Sequence, residues 1–129
     1  MIVVDASALV AIADREPDAS LYLRAIAVAK QATICDVNAA EAGFVLLGRG
    51  RFDGAQAFMT WRRSLRIDVS TAGLMEDEVL EAFLRFGKGR HRARLNLGDC
   101  FAYALAKRLD APLLYKGEDF AFTDVRSAL

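Results

Sequence analysis

Four acids stand where apolar runs give way to helices or turns: Asp5 in MIVVDAS, Glu41 in NAAEAG, Asp99 in NLGDCF and Asp119 in KGEDF. No histidine or cysteine joins them at a ligand spacing. Cys35 and Cys100 form no CxxC pair, and His91, the lone histidine, sits in a basic run. A zinc site is therefore not expected. Oxygen-only donors suit Mg²⁺ or Mn²⁺. Carboxylates brought within a few ångströms repel one another and stay ionised only when something positive neutralises them. A hard cation there acidifies a water, orients it and stabilises a leaving oxygen. The chemistry implied is phosphodiester hydrolysis.

Each acid taken singly has a plainer explanation. Asp5 suits the N-cap of a helix starting at Ala6. Asn38-Ala-Ala-Glu41 and Asn96-Leu-Gly-Asp99 both have the spacing of a capping box, in which the fourth side chain reaches back to the first backbone N–H. Lys116-Gly117-Glu118-Asp119 is ordinary turn chemistry. What separates the metal reading from the capping reading is whether distant segments bring the acids together.

The elements that would do so follow from periodicity. Ile2-Val3-Val4 is apolar at consecutive positions, as in a central strand buried on both faces. The pattern predicts helices over 6–14 and 18–30, the second with Pro17 near its first turn. It predicts a strand at 32–35 and a helix over 38–50, stopped by Gly48 and Gly50. A helix over 53–64, a weak strand at 66–69 and a helix over 72–86 come next. The last of these carries Leu74, Met75, Val79, Leu80 and Phe83 as its apolar stripe. A Gly- and Arg-rich loop spans 87–95. A helix over 97–109, a strand at 113–115 and a turn at 116–120 follow, with Asp124-Val125 as a final edge strand. Strands alternating with helices predict an α/β fold with a parallel sheet. Ligands of such sheets bind beyond the carboxyl ends of the strands, where Asp5 and Asp119 would fall.

Bulk properties narrow the classes. The chain has 129 residues, 54% of them hydrophobic, with a formal charge of +0. That length is near the commonest for one domain. Neutral bulk charge gives no general attraction to nucleic acid or anionic membrane, so a local patch must provide it. Two thiols make no disulfide scaffold, and MIVVD has neither a basic n-region nor a cleavage site. No apolar run approaches the roughly 18 residues of a spanning helix. A single domain in a reducing, cytoplasmic setting, without membrane contact, is expected.

The order VVDASALVA, AAEAGFVLL, LNLGDCFAYALAKRLDAPLLYKGEDF and FTDV resembles a PIN domain, and more narrowly the VapC toxins of type II toxin–antitoxin modules. The resemblance runs along essentially the whole chain, and GDC, YALA, PLL, KGxDF and TDV keep the family's spacing. It implies a Rossmann-like three-layer α/β/α sandwich around a parallel sheet of four to five strands. It also implies a Mg²⁺- or Mn²⁺-dependent endoribonuclease that cuts tRNA or rRNA, acts as a homodimer and is restrained by a VapB-type antitoxin. The family's acidic set carries onto Asp5, Glu41, Asp99 and Asp119, and its small hydroxyl residue onto Ser7. On this reading Asp5 and Asp99 are the direct metal ligands, while Glu41 and Asp119 hold waters or a second ion. Ser7 either orients Asp5, touches the scissile phosphate or serves only its helix terminus. Asp124 is a spare acid, more simply read as a turn contact.

The loop from Arg85 to Arg94 holds five Lys or Arg, with His91 and no acid. Arg90 and Arg92 are its candidate RNA contacts, since phosphate neutralisation releases counterions. A solvated surface loop is the alternative. Arg49, Arg51, Arg62 and Arg63 form a weaker cluster, explained equally by an exposed helix face. Ser7 and His91 do not make a hydrolase triad, because no GxSxG elbow is present. Phe58, Trp61, Phe83 and Phe86 fit core or dimer stripes, and Cys100 a small hydrophobe. Two other classes stay open: a catalytically silent PIN-like module binding RNA or protein, and a phosphoryl-accepting α/β domain. A dehalogenase-like phosphatase would want DxD at its first strand, where this chain has Asp5-Ala6-Ser7. An amphipathic helix carrying an Arg is the kind of partner that would block an acidic pocket.

Overall fold

In a computed structural model, which describes residues 1–129, β1 (Ile2–Val4) runs through the middle of a sheet. Its side chains alternate between two cores. Ile2 and Val4 point into one, Val3 into the other, and all three are buried. β2 (Ala32–Ile34), β3 (Ile67–Val69) and β4 (Leu113–Leu114) complete the sheet in the order β3-β2-β1-β4, every neighbour parallel. Each crossover carries two helices. α1 (Ala6–Ala13) and α2 (Ala19–Val28) join β1 to β2. α3 (Asp36–Gly48) and α4 (Ala55–Ser64) join β2 to β3, and α5 (Glu76–Phe86) and α6 (Leu97–Arg108) join β3 to β4.

Helices α1 to α4 supply the core containing Val4 and Leu114, and α5 and α6 the core containing Val3 and Leu113. The expected three-layer α/β/α sandwich is therefore present, with four strands. The chain order turns outward at β1, since β2 and β4 lie on opposite sides of it. That reversal opens a crevice at the carboxyl ends of β1 and β4, the place where parallel sheets receive ligands.

Several local expectations are corrected. The α3 helix starts two residues before Asn38, with Cys35 at its N-cap, so Asn38 is no cap and makes no capping box with Glu41. The α5 helix starts at Glu76, and its buried side chains are Val79, Ala82 and Phe86. Leu74, 94% exposed, precedes it, and Leu80 and Phe83 face outward. The periodicity was shared between two stripes, and three acids in the first turn (Glu76, Asp77, Glu78) suit the positive end of the helix dipole. Asp124-Val125 is not a strand. The terminal pairing forms two residues later, where Leu113 bridges Ser127 in parallel, because Asp124 is held elsewhere by Tyr103, Lys107 and Arg85. Arg62 is not on an exposed face either: it is buried and donates to the Ile67 carbonyl at 2.6 Å. No helix is long and apolar enough to cross a membrane.

Candidate active site

Asp5 follows the last residue of β1 and caps α1. Its Oδ2 accepts from the Ser7 backbone N–H at 3.0 Å and from the Ser7 hydroxyl at 2.6 Å. Its other oxygen, Oδ1, is buried without a hydrogen-bond partner, and the residue is only 4% exposed. A buried carboxylate oxygen left unpaired is costly. Burial raises the Asp5 pKa, and the Ser7 hydrogen bonds oppose that rise.

Ser7 ties two strands' ends together. Besides donating to Asp5, its Oγ accepts from the Lys116 backbone N–H at 2.9 Å. A hydroxyl has one proton, and this one is spent on Asp5. Ser7 therefore orients Asp5 and anchors the turn after β4.

Asp99 occupies the third position of α6 and completes a true capping box with Asn96. The Asn96 side chain accepts from the Asp99 N–H at 2.9 Å, and Asp99 Oδ2 accepts from the Asn96 N–H at 3.1 Å. The capping reading was right for this acid, and the cap leaves its carboxyl beside Asp5 and Glu41. Burial pushes the Asp99 carboxyl up to about 7, with the charges of Asp5, Asp119 and Glu41 adding to the rise. Burial and then the Asp5 charge raise Glu41 as well.

Asp5, Glu41 and Asp99 line one cavity of about 340 Å³ together with Ser7, Glu16, Arg49 and Lys116. Asp119 begins a 3-10 turn, Asp119–Phe122, and is exposed outside that wall. Its charge still reaches Asp99. Three of the four acids are thus gathered in the cavity, with the fourth at its margin. Their donor set fits a hard divalent cation: oxygen only, one oxygen orphaned, and mutual repulsion to relieve. No three of them meet at a common ligating point.

Sequence reasoning grouped Arg49 in a weak basic cluster and did not connect it, or Lys116, with the acids of this cavity. Arg49 and Arg51 both pair with Asp14, Arg51 at 2.7 Å. Lys116 Nζ reaches Glu16 at 3.1 Å and Asp18 at 3.2 Å. The α1–α2 connection, rich in acids, thereby holds Arg49 and Lys116 against the cavity wall. The signals available beforehand were the acid run Asp14, Glu16, Asp18 and the basic pair Arg49 and Arg51. Asn38, taken for a cap, turns inward instead and donates to the Gly98 carbonyl at 2.8 Å.

The basic loop is ordered by its own contacts. Its ends meet where Gly87 bridges Leu95. His91 packs edge-on against Phe86 and accepts from the Ala93 N–H at 3.0 Å. The guanidinium of Arg90 lies 5.9 Å from the Phe83 ring centroid, and that of Arg92 lies 4.7 Å from the Phe122 centroid. Phe122 ends the turn that Asp119 begins, so Arg92 sits beside the acidic margin. Lys88, Arg90, His91, Arg92 and Arg94 line a hollow with no apolar side chain.

A four-stranded parallel sheet with carboxylates at its switch point defines an α/β domain with an acidic site, and the comparisons narrow it. A family model, PIN domain, matches residues 2–125. A Ribonuclease VapC of Mycolicibacterium smegmatis is 44% identical over 125 residues, covering 95% of this chain and 96% of that one. Ribonuclease VapC30 of Mycobacterium tuberculosis is 39% identical over 124 residues, covering 95% of each. The crystal structure of M. tuberculosis VapC20, described as a Sarcin-Ricin loop cleaving toxin, superposes with a TM-score of 0.72 at 20% identity, covering 98% of this chain and 99% of that one. The chain belongs to the PIN-domain family, within the VapC ribonucleases.

Proposed function

We propose that the protein is the toxin of a type II toxin–antitoxin pair, hydrolysing tRNA or rRNA in the cytoplasm with Mg²⁺ or Mn²⁺ at Asp5, Glu41, Asp99 and Asp119. The observation that carries this reading is the meeting of Asp5, Glu41 and Asp99 in one cavity at the β1/β4 switch point, with Asp5 Oδ1 unpaired. In this reading Asp5 and Asp99 would hold the cation directly, with Glu41 and Asp119 contributing through its waters or a second ion. When bound, the cation would supply Lewis acidity, neutralising phosphodiester charge and acidifying a water. Glu41, on the cavity wall beside Asp5 and Asp99, is placed to accept the proton of the attacking water. The water oxygen bonds to phosphorus, the bond to the leaving ribose oxygen breaks, and that oxygen takes up a proton from solvent while Glu41 releases its own. Ser7 keeps Asp5 in one rotamer throughout. Arg90 and Arg92 bind flanking phosphates, with Arg49 and Lys116 at the mouth.

The partner reading draws on a groove of about 720 Å³ that shares Glu41 with the active site. Its exposed Phe44 and Leu97, 79% and 70% accessible, suit an amphipathic antitoxin helix whose Arg would enter the acidic cavity. The homodimer reading draws on Leu80, Phe83 and Leu84, exposed together on α5.

The test is cleavage of total cellular RNA by purified protein in Mg²⁺, Mn²⁺ or EDTA, beside Asp5→Asn and Asp99→Asn. Discrete fragments are expected with either metal, and none in EDTA or with either variant. Metal-independent cleavage, or cleavage surviving both substitutions, would refute the proposal.

A further inference from the structure

Glu41 reaches the active site from α3, and nothing charged holds it there. Its neighbours are Asn38, three residues earlier on the same helix face, and Gly98, at the start of α6. The Asn38 side chain is fully buried and donates from Nδ2 to the Gly98 carbonyl at 2.8 Å, with Glu41 Oε1 at 3.5 Å from the same nitrogen. The amide orientation follows from that carbonyl, which can only accept. Fixing it leaves Asn38 Oδ1 buried and unpaired. On the other side, the carboxylate lies against the bare Cα of Gly98. A Cβ there would stand 2.7 Å from both Glu41 oxygens. Gly98 has no need of glycine for its backbone: it lies inside α6, outside the left-handed region.

We infer that Asn38 and Gly98 form a seat for the Glu41 carboxylate, Asn38 locking α3 to α6 and Gly98 leaving the space the carboxylate fills. Both are positioning residues for the hydrolysis proposed above, and the inference rests on that reading for its functional consequence. The seat gives Glu41, which lines the cavity with Asp5 and Asp99, a place to rest without a cationic partner. It also accounts for a glycine in the first turn of a helix where alanine would be the better helix former.

The experiment is a double-mutant cycle on thermal stability in EDTA, paired with Mn²⁺ binding by calorimetry. Proteins compared are wild type, Gly98→Ala, Glu41→Ala and the double variant. With the seat as described, Gly98→Ala raises Tm when Glu41 is already alanine, through helix propensity alone, and raises it less or lowers it when Glu41 is present. Mn²⁺ affinity of Gly98→Ala falls about tenfold or more, as for a disturbed supporting group around the direct ligands. Asn38→Ala serves as the second arm, and its loss of Mn²⁺ affinity is expected to shrink once Glu41 is alanine. Equal Tm changes for Gly98→Ala in both backgrounds would overturn the seat, whether or not the wild type cleaves RNA. Coupling in Tm together with a wild type that binds no Mn²⁺ would support the seat and refute the metal reading instead.

Discussion

At the scale of single residues, the site is built from carboxyls that are uncomfortable in the folded chain. Asp99 has its pKa raised to about 7 from an ordinary 3.8. The folded protein thus keeps a proton that the unfolded chain releases. Stability from this group is complete below about pH 4 and is lost as pH rises through about 7. Asp5 and Glu41, also raised, act in the same direction. Asp14 and Asp18 act oppositely, at lower pH, since hydrogen bonds from Arg51 and Tyr22 pull them down. The expected outcome in EDTA is a Tm that falls between pH 5 and 7.5. Asp99→Asn should flatten that fall, and Mg²⁺ should offset it in the wild type. An unchanged slope in Asp99→Asn would remove Asp99 as its source. Ser7 gives a second test. Ser7→Ala takes away both the Asp5 contact and the Lys116 acceptor. Its cleavage rate should drop well below wild type, and Ser7→Thr, which keeps the hydroxyl, should retain more of it.

At the scale of elements, helix ends do the positioning. The capping box of α6 satisfies two backbone donors and aims Asp99 at the cavity in the same act. Asn96→Ala should destabilise by about 1 kcal/mol, the usual cost of a lost cap, read from chemical denaturation. The basic loop, which starts at Gly87 because Arg85 and Phe86 belong to α5, is likewise an element, closed by the Gly87–Leu95 bridge and braced by two aromatic rings. If Arg90 and Arg92 each neutralise a phosphate, the double alanine variant weakens RNA binding and reduces the slope of log K against log salt. The reduction should be about 0.7 per contact for single-stranded RNA. A slope equal to the wild type's would place these arginines outside the interface.

At the scale of the whole molecule, the site depends on two cores that clamp the sheet from opposite faces. Leu105 on α6 is fully buried in the core that carries Asp99's helix. Leu105→Ala should cost about 2–5 kcal/mol, by urea denaturation, and so tests how firmly that helix is held. Cys100 lies in the same core, 1% exposed, and burial pushes its thiol up to about 11. That thiol packs as the small hydrophobe expected of it.

The local pattern of residues sufficed for what is local. β-branched Ile2-Val3-Val4, the alternation of strands and helices, and the Asn96–Asp99 box are each legible because hydrophobic period and cap spacing act over a few residues. The acids themselves were legible by type and by their places at element ends. Where sequence reasoning erred, several signals were ambiguous at short range. Asn38 has the spacing of a cap, yet α3 begins earlier and turns it inward to Gly98. Arg62 looks solvated, yet it is buried under Ile67. Leu80 and Phe83 share an apolar period with Val79, yet only Val79 is covered. Those outcomes depend on partners 5 to 60 residues away. Which acids share a cavity, which cations stand at its mouth and what seats Glu41 were decided only when β4 crossed to the far side of β1 and α6 met α3.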